Sequence, residues 1–331
     1  MKIAIFSARH YDREFLNAAN ATAGHQLHFF EASLEPETVA LAAGHEAVCI
    51  FVNDTADATV LKALADGGTR LVALRCTGFN NVDLKAADQF GLKVVRVVAY
   101  SPYSVAEHVV ALLQAINRKI HRAYNRTRDS NFTLDGLMGF DLHGKTVAII
   151  GTGRIGRVLT GIMRGFGCEV LGYDKYQSPE FLALGGRYAQ LAEICAKADI
   201  ISLHCPLTPE THHLVDADML SRLKRGTLLI NTSRGGLVDT EAAIEALKSG
   251  QLGGLALDVY EQEADLFYRD LSSTVVSDDV FERLLSFPNV IVTGHQAFFT
   301  REAITTISET TIKSVTEFAS GQVLSEAIQV T

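Results

Sequence analysis

Cysteine is scarce, and what there is does not pair. Cys49, Cys76, Cys168, Cys195 and Cys205 are odd in number, lie far apart and include no CxxC spacing. They read as reduced, mostly buried thiols, not as disulfides or a zinc site, and no metal is called for. Positive charge is also short: 30 Lys and Arg against 38 Asp and Glu leave a net charge of −8. No basic stripe appears beyond the interrupted run Arg118-Lys119-Ile120-His121-Arg122 and the stretch 126–128, which lie on a helical pattern and read as a solvated or interdomain face. No nucleic-acid partner is expected. Long apolar runs are missing, with no stretch of about 18 apolar residues to cross a membrane. The opening Met1-Lys2-Ile3-Ala4-Ile5-Phe6-Ser7 turns polar too early for the apolar region of a secretion signal. The expectation is a cytoplasmic protein without a membrane partner. Internal repeats and low-complexity stretches are absent as well.

What is present is the composition of a globular α/β protein. Hydrophobic content of 47% with 21% charged residues suits sizeable cores, and 331 residues suggest two domains at roughly 150 residues each. The chain is organised around Thr146-Val147-Ala148-Ile149-Ile150-Gly151-Thr152-Gly153-Arg154-Ile155-Gly156, followed by an apolar helical run and then Glu169-Val170-Leu171-Gly172-Tyr173-Asp174. Strand, glycine turn, helix, strand and acid form the layout of a dinucleotide-binding βαβ unit. Gly151 allows the tight turn, Gly153 lets amides approach a pyrophosphate, and Gly156 lets the helix pack on the strand. The phosphates then meet the helix N-terminus, where free N–H groups favour an anion. Asp174 falls 18 residues after Gly156, where a carboxylate accepts from ribose hydroxyls and repels a 2′-phosphate. NAD is therefore favoured over NADP. Arg154 is open to two readings, a phosphate contact or a solvated helix-start residue.

The first hundred residues alternate β-type runs at 3–6, 27–30, 47–52, 71–75 and 94–97 with amphipathic helical patterns such as 58–65 and 84–90. That alternation implies a parallel sheet with crossover helices. Without a glycine fingerprint, this sheet serves something other than the dinucleotide. Two strand-end loops stand out in it: Arg75-Cys76-Thr77-Gly78-Phe79-Asn80-Asn81-Val82-Asp83, whose Thr77 and Gly78 amides could face an anion, and Ala99-Tyr100-Ser101-Pro102. Tyr100 reads equally as a site residue or a packed aromatic. A helix over 105–121 is expected to cross to the second domain, whose strands continue at 200–205, 227–232, 255–259 and 290–293. A long helix over 301–320 ends at Gly321, the tail beyond shows no sheet signal, and the simplest topology returns this helix to the first domain.

Three strand-end turns of the second half each offer one group. Asn231-Thr232-Ser233-Arg234-Gly235-Gly236 supplies a guanidinium, Asp258-Val259-Tyr260-Glu261-Gln262-Glu263 carboxylates, and Val292-Thr293-Gly294-His295-Gln296-Ala297-Phe298 an imidazole. Ligands of open α/β sheets bind outside the carboxyl ends of strands. Reduction of a 2-keto acid needs a cation for the substrate carboxylate, an acid for the carbonyl oxygen and a group that keeps that acid charged. Arg234 suits the first role through its planar fork. His295 suits the second, as an imidazole titrates near working pH. Glu263 suits the third, because a neighbouring carboxylate favours the imidazolium. Taken singly, Arg234 and Glu263 also read as surface residues and His295 as a packed core histidine.

These stretches, with His204-Cys205-Pro206-Leu207-Thr208-Pro209-Glu210-Thr211 and Gly78-Phe79-Asn80-Asn81-Val82-Asp83-Leu84, resemble the D-2-hydroxyacid dehydrogenase family over essentially the whole chain, and within it the fermentative, lactate-forming branch of bacteria. The 32-residue spacing from Glu263 to His295 is similar to the lactate and hydroxyisocaproate branch. No effector domain follows Thr331, which argues against a regulated phosphoglycerate dehydrogenase. The resemblance implies two doubly wound parallel-sheet domains with a cleft between: a discontinuous flavodoxin-like substrate domain over 1–100 plus 300–331, and a Rossmann NAD-binding domain over 101–299. It implies NAD-dependent reduction of pyruvate to D-lactate in a homodimer or a dimer-of-dimers tetramer. Arg234 would clamp the substrate carboxylate, aided by amides near Thr77 and Gly78 and by Tyr100, and Phe298 would wall the substrate. His295 would donate the proton, paired with Glu263. Arg154 and Ile155 would touch the pyrophosphate, Asp174 the ribose, and Asp258 the nicotinamide carboxamide, while Cys205, Pro206, Thr211, Thr232 and Ser233 line the cofactor's cleft. Val98 and Gly294 stand where related sequences often carry proline. His212 and His213 read as surface residues and His204 as packing beside the cofactor strand. Two rivals remain, a dehydrogenase of bulkier D-2-hydroxy acids and an NADH-sensing corepressor.

Overall fold

The computed structural model describes residues 1–324, 329 and 330. Its elements run β1 (Lys2–Ile5), α1 (His10–Asn20), β2 (Gln26–Phe29), β3 (Ala47–Ile50), α2 (Ala58–Asp66), β4 (Leu71–Leu74), α3 (Leu84–Gln89) and β5 (Lys93–Arg96). Next come α4 (Pro102–Asn117), α5 (Ile120–Arg128), β6 (Thr146–Ile150), α6 (Arg154–Gly165), β7 (Glu169–Tyr173), α7 (Pro179–Ala183), β8 (Arg187–Tyr188), α8 (Leu191–Lys197) and β9 (Ile200–Leu203). The chain closes with α9 (Ala217–Arg222), β10 (Thr227–Asn231), α10 (Thr240–Ser249), β11 (Leu252–Leu257), α11 (Asp279–Leu285), β12 (Val290–Val292) and α12 (Arg301–Ala319). They fall into two compact units, Met1–Ser101 with the described part of Phe299–Thr331, and Pro102–Phe298. Among the described residues no helix is long and apolar enough to cross a membrane.

The first unit holds a five-stranded sheet in the order β2-β1-β3-β4-β5, parallel throughout. Its central strands read Ala47-Val48-Cys49-Ile50 and Leu71-Val72-Ala73-Leu74 and are buried at every position. Continuous apolar runs of this kind belong to parallel strands covered on both faces. Leu16 of α1 and Ile312 and Val315 of α12 pack on one face with Ile3, Ile5, Cys49 and Ala73. Each such side chain contributes roughly 1.5–3 kcal/mol by leaving water. The tail departs from the sequence expectation of no sheet partner: Gln329 forms an antiparallel bridge with Val95, and the Val330 amide donates to the Val94 carbonyl at 2.8 Å. A single bridge leaves no alternation in sequence to read.

The second unit holds a seven-stranded parallel sheet in the order β12-β11-β10-β9-β6-β7-β8. From β6 the chain first builds β7 and β8 on one side, then returns to place β9 through β12 on the other. The order therefore reverses between β6 and β9, the point at which doubly wound sheets open a crevice. One face packs Val147, Ile149 and Ile230 against Val109 and Leu113 of α4 and Leu159 and Met163 of α6. The opposite face packs Ile201, Leu203 and Leu229 against Leu220 of α9 and Ile244 and Leu247 of α10. The expected single helix over 105–121 is corrected to two. Helix α4 stops at Asn117, Lys119 takes a left-handed φ of 51°, and α5 restarts at Ile120 with none of its residues buried. The two-residue β8 escapes periodicity because alternation needs more than two positions.

Candidate active site

Gly151 leaves β6 at φ +100°, a conformation that only glycine adopts without strain. A Cβ there would run into the backbone of His204 and Cys205, so the turns after β6 and β9 touch where the strand order reverses. A Cβ on Gly156 would strike the Gly151 carbonyl, which explains the close seating of α6 on β6. Gly153 is different: a Cβ there would meet nothing within 4 Å, and no side chain caps α6 behind it. Aspartates cap α2, α3, α9, α10 and α11, satisfying their first amides. The start of α6 instead presents its N–H groups beside a bare glycine, with Arg154 exposed and Ile155 half-buried.

Beyond β7, Asp174 Oδ2 accepts from the Thr152 amide at 2.7 Å and its hydroxyl at 3.2 Å, and Oδ1 accepts from the Tyr176 amide at 3.0 Å. A carboxylate offers about four acceptor positions, so capacity remains for a further donor. Beyond β9, burial pushes the Cys205 thiol up to about 11, which keeps it protonated, while its carbonyl accepts from the Ser233 hydroxyl at 2.7 Å. Thr211 closes the same turn, donating to the Pro206 carbonyl at 2.7 Å and accepting from the Thr208 amide at 2.8 Å. The buried Thr232 hydroxyl has no hydrogen-bond partner among the described residues. An amide-lined helix start, a carboxylate past the second strand and a buried hydroxyl awaiting a partner are a donor and acceptor set that fits a dinucleotide such as NAD.

The imidazole of His295 is built from further away than its sequence neighbours suggest. Its residue sits at φ +52°, in the left-handed region where a non-glycine residue needs support. Asp258, directly after β11 and fully buried, provides it. Its Oδ1 accepts from the Thr293 hydroxyl at 2.5 Å and the Gln296 amide at 2.9 Å, its Oδ2 from the Ala297 amide at 2.8 Å, and its carbonyl from the His295 amide at 2.7 Å. His108 of α4 lies 3.1 Å from the Thr293 hydroxyl and 3.4 Å from Asp258 Oδ1 through Nε2, and the Tyr268 hydroxyl donates to the His295 carbonyl at 3.0 Å. A buried carboxylate accepting from this many donors fixes the turn. So held, His295 places Nδ1 2.8 Å from Glu263 Oε1, while Glu263 Oε2 accepts from the Tyr260 amide at 3.0 Å. With Nδ1–H donating to the carboxylate, Nε2 is the ring atom from which a proton can pass to a ligand.

Arg234 is placed by Asn231, a fully buried side chain at the end of β10. Asn231 donates to the Arg234 carbonyl at 2.8 Å and accepts from the Ser233 amide at 3.0 Å. Gly235 packs so closely on the Tyr260 backbone that a Cβ has no room. The three turns thus form one chain of contacts, Gly235 on Tyr260, Tyr260 on Glu263 and Glu263 on His295. Asn231, His108, Thr293 and Tyr268 are the residues that motif reading passes over. Asn231 heads its own turn motif and was legible there, whereas His108 and Thr293 stand 185 positions apart and share no local signal. His204 bonds Ser202 Oγ at 2.8 Å, and burial lowers its pKa to about 4, leaving it neutral. In the first unit, Thr77 and Gly78 follow β4: the Thr77 carbonyl accepts from Arg96 Nη1 at 3.0 Å, and Cys76 Sγ lies 3.2 Å from the Gly78 carbonyl. Tyr100 stands beyond β5, half-buried, and in the second unit Phe298 is buried three residues after His295.

The model of the NAD binding domain of D-isomer specific 2-hydroxyacid dehydrogenase matches residues 110–297. The 2-hydroxyacid dehydrogenase homolog 1 of Schizosaccharomyces pombe is 54% identical over 321 residues, 97% of each chain. D-lactate dehydrogenase of Escherichia coli is 50% identical over 322 residues, 97% of this chain and 98% of that one. The apo-structure of that enzyme aligns over 100% of both chains with a TM-score of 0.92, at 47% identity when matched by structure. The structure of the pyruvate reductase of Chlamydomonas reinhardtii aligns over 98% of both chains with a TM-score of 0.94 at 43% identity. Since the model's match takes in the glycine turn, Asp258, Glu263 and His295 alike, and the relatives' identity runs the length of the chain, this chain belongs to the D-isomer specific 2-hydroxyacid dehydrogenase family.

Proposed function

We propose that the chain is an NAD-dependent D-lactate dehydrogenase that reduces pyruvate. The observation that carries this reading is the 2.8 Å bond between His295 Nδ1 and Glu263 Oε1 on a turn fixed by Asp258. The full-length likeness to D-lactate dehydrogenase and to a pyruvate reductase supports the choice of keto acid. NADH, when bound, supplies the hydride. The α6 amides with Arg154 and Ile155 receive its pyrophosphate, Asp174 its ribose hydroxyls, and Thr232 and Ser233 border it. Arg234 holds the substrate carboxylate through two parallel N–H···O bonds. As negative charge develops on the carbonyl oxygen, His295 Nε2 gives up its proton to that oxygen and becomes neutral, then regains a proton from solvent. Glu263 stabilises the charged ring before transfer and fixes its orientation afterwards. Asp258 acts on the reaction by positioning the His295 turn, alongside the nicotinamide contact that the family resemblance implies. To the first unit, with bounds near 1–100 and 300–331, we assign the further substrate contacts, the Thr77 and Gly78 amides and Tyr100. Phe298 we assign as a wall for a small methyl group.

The test is wild-type turnover of pyruvate against a branched 2-keto acid, with the product's handedness read by a D-specific coupled assay. The reading predicts D-lactate and the higher kcat/KM for pyruvate. A higher kcat/KM for the branched acid moves the assignment to a dehydrogenase of bulkier D-2-hydroxy acids. We also infer a homo-oligomer. Ile120 and Tyr124 of α5, with Phe132, Leu134 and Met138 after it, are all exposed within one 19-residue stretch, which supports an interface along it. Light scattering is expected to show at least a dimer, and Phe132→Asp with Leu134→Asp to release the monomer. A monomeric wild type rejects the inference.

A further inference from the structure

By sequence, His212 and His213 read as two surface residues, yet the fold gives them company. His213 sits at φ +51°, and the two rings stack with centroids 4.0 Å apart and planes 24° from parallel. His213 Nε2 lies 2.6 Å from Glu261 Oε1. One donor atom from each of His212, His213 and Glu261 lies within 4.8 Å of the other two. Glu261 is itself oriented from behind, because its Oε2 accepts from the Thr240 amide at 3.1 Å and the Thr240 hydroxyl at 2.8 Å at the start of α10. That leaves Oε1 turned to the imidazoles.

A simple surface pair explains His213 with Glu261 and leaves His212 unexplained. Two imidazoles and one carboxylate, with a donor atom from each gathered within 4.8 Å, are a donor set for a borderline divalent ion, with water completing a tetrahedron. The carboxylate already has the outer hydrogen bonds that fix ligands in metal sites. We propose that His212, His213 and Glu261 form a binding site for a zinc-type divalent transition metal, with Thr240 orienting the carboxylate.

The site has a structural consequence close at hand. The His213 amide donates to the Gly236 carbonyl at 2.8 Å, and Gly235 rests on the backbone of Tyr260 and Glu261. A bound ion therefore fastens the turn at 211–213 to the turn at 260–261, on either side of the loop that carries Arg234. This staple is separate from the Glu263 and His295 pair and does not depend on the reaction assigned to it.

The experiment titrates Zn2+ into the chelator-treated full chain by calorimetry and follows melting with and without the ion. Wild type is expected to bind one equivalent, and Tm to rise by about 2–4 °C. His212→Gln with His213→Gln is expected to abolish the Tm rise and weaken binding at least about tenfold, and Thr240→Ala to weaken it within the ~10–100-fold range of lost outer contacts. Should the double variant fold poorly, His212→Gln alone, at an exposed position, carries the comparison. Absence of binding to wild type overturns the proposal. So does binding that survives unchanged in the histidine variants, which would place the ion on thiols or other histidines.

Discussion

After β4 in the first unit, Arg75 reaches Asp12 of α1 at 3.0 Å, with side chains 3% and 8% exposed. After β11 and β12 in the second unit, Glu263 meets His295 at 2.8 Å, with side chains 25% and 17% exposed. Both pair a basic side chain with an acidic one at the carboxyl end of a parallel sheet. Arg75 also donates to the Ser7 carbonyl at 3.0 Å and lies 5.0 Å over the Phe51 ring. Asp54 nearby is closed in by the Ser7 hydroxyl and the Leu34 and Phe51 amides. Burial of this depth turns the first pair inward, where it ties α1 to the sheet. The second pair spends one ring nitrogen and both carboxylate oxygens on positioning, and in the proposed mechanism the other ring nitrogen serves the ligand. The same topology yields a tie in one unit and a tool in the other, and the difference lies in burial and in how the partners are distributed.

The comparison breaks most visibly at its buried half. Asp12→Ala strands the Arg75 charge in the interior, and we expect a loss of about 3–5 kcal/mol in chemical denaturation. Turnover per folded molecule should stay at the wild-type value. A fall in kcat without loss of stability would mean that the first pair is not merely a tie. The next largest effect falls on the support of the second pair. Asp258→Asn keeps the shape but offers an N–H₂ group where an amide hydrogen needs an acceptor, so the His295 turn shifts. A displacement of about 1 Å costs on the order of 10²-fold in rate, which steady-state kcat would read, with NADH affinity less affected. The smallest effect asks whether burial, rather than residue type, decides what an imidazole does. His204 has its folded pKa lowered to about 4 from the ordinary 6.5. The unfolded chain takes up a proton near 6.5 while the folded chain waits until about 4, so its stabilising contribution is complete above about pH 6.5 and is lost as pH falls towards 4. His204→Gln should flatten that part of the stability profile by on the order of 1–3 kcal/mol. An unchanged profile would place the acid sensitivity elsewhere.

Local chemistry explains which of these features the sequence reveals. The run from Thr146 to Asp174 is legible because its glycines, strand and acid are all needed within one βαβ unit. Arg234, Glu263 and His295 are legible as groups, since each stands a few residues past an apolar strand. Their supports are not. Asp12 and Arg75 are 63 positions apart, Asp258 and Ala297 39, and nothing in either neighbourhood marks the partner. The break between α4 and α5 is hidden because Lys119, an ordinary helix former, takes a left-handed φ there. The bridge of Gln329 to Val95 is hidden because one residue cannot show a period. Sequence pattern reports the groups that could do chemistry and the faces that are buried. It does not report which distant side chain holds a turn in place.

Proton donation by His295 Nε2 is the step on which the proposed mechanism depends. The direct measurement is pyruvate-dependent oxidation of NADH at saturating substrate by wild type and by His295→Ala, with NADH binding followed by fluorescence alongside. In the variant kcat is expected to fall by about 10²–10⁴-fold, the contribution of a positioned general acid, while NADH binding and Tm are kept. A variant that binds NADH as wild type does and still turns over pyruvate at the wild-type kcat would contradict it.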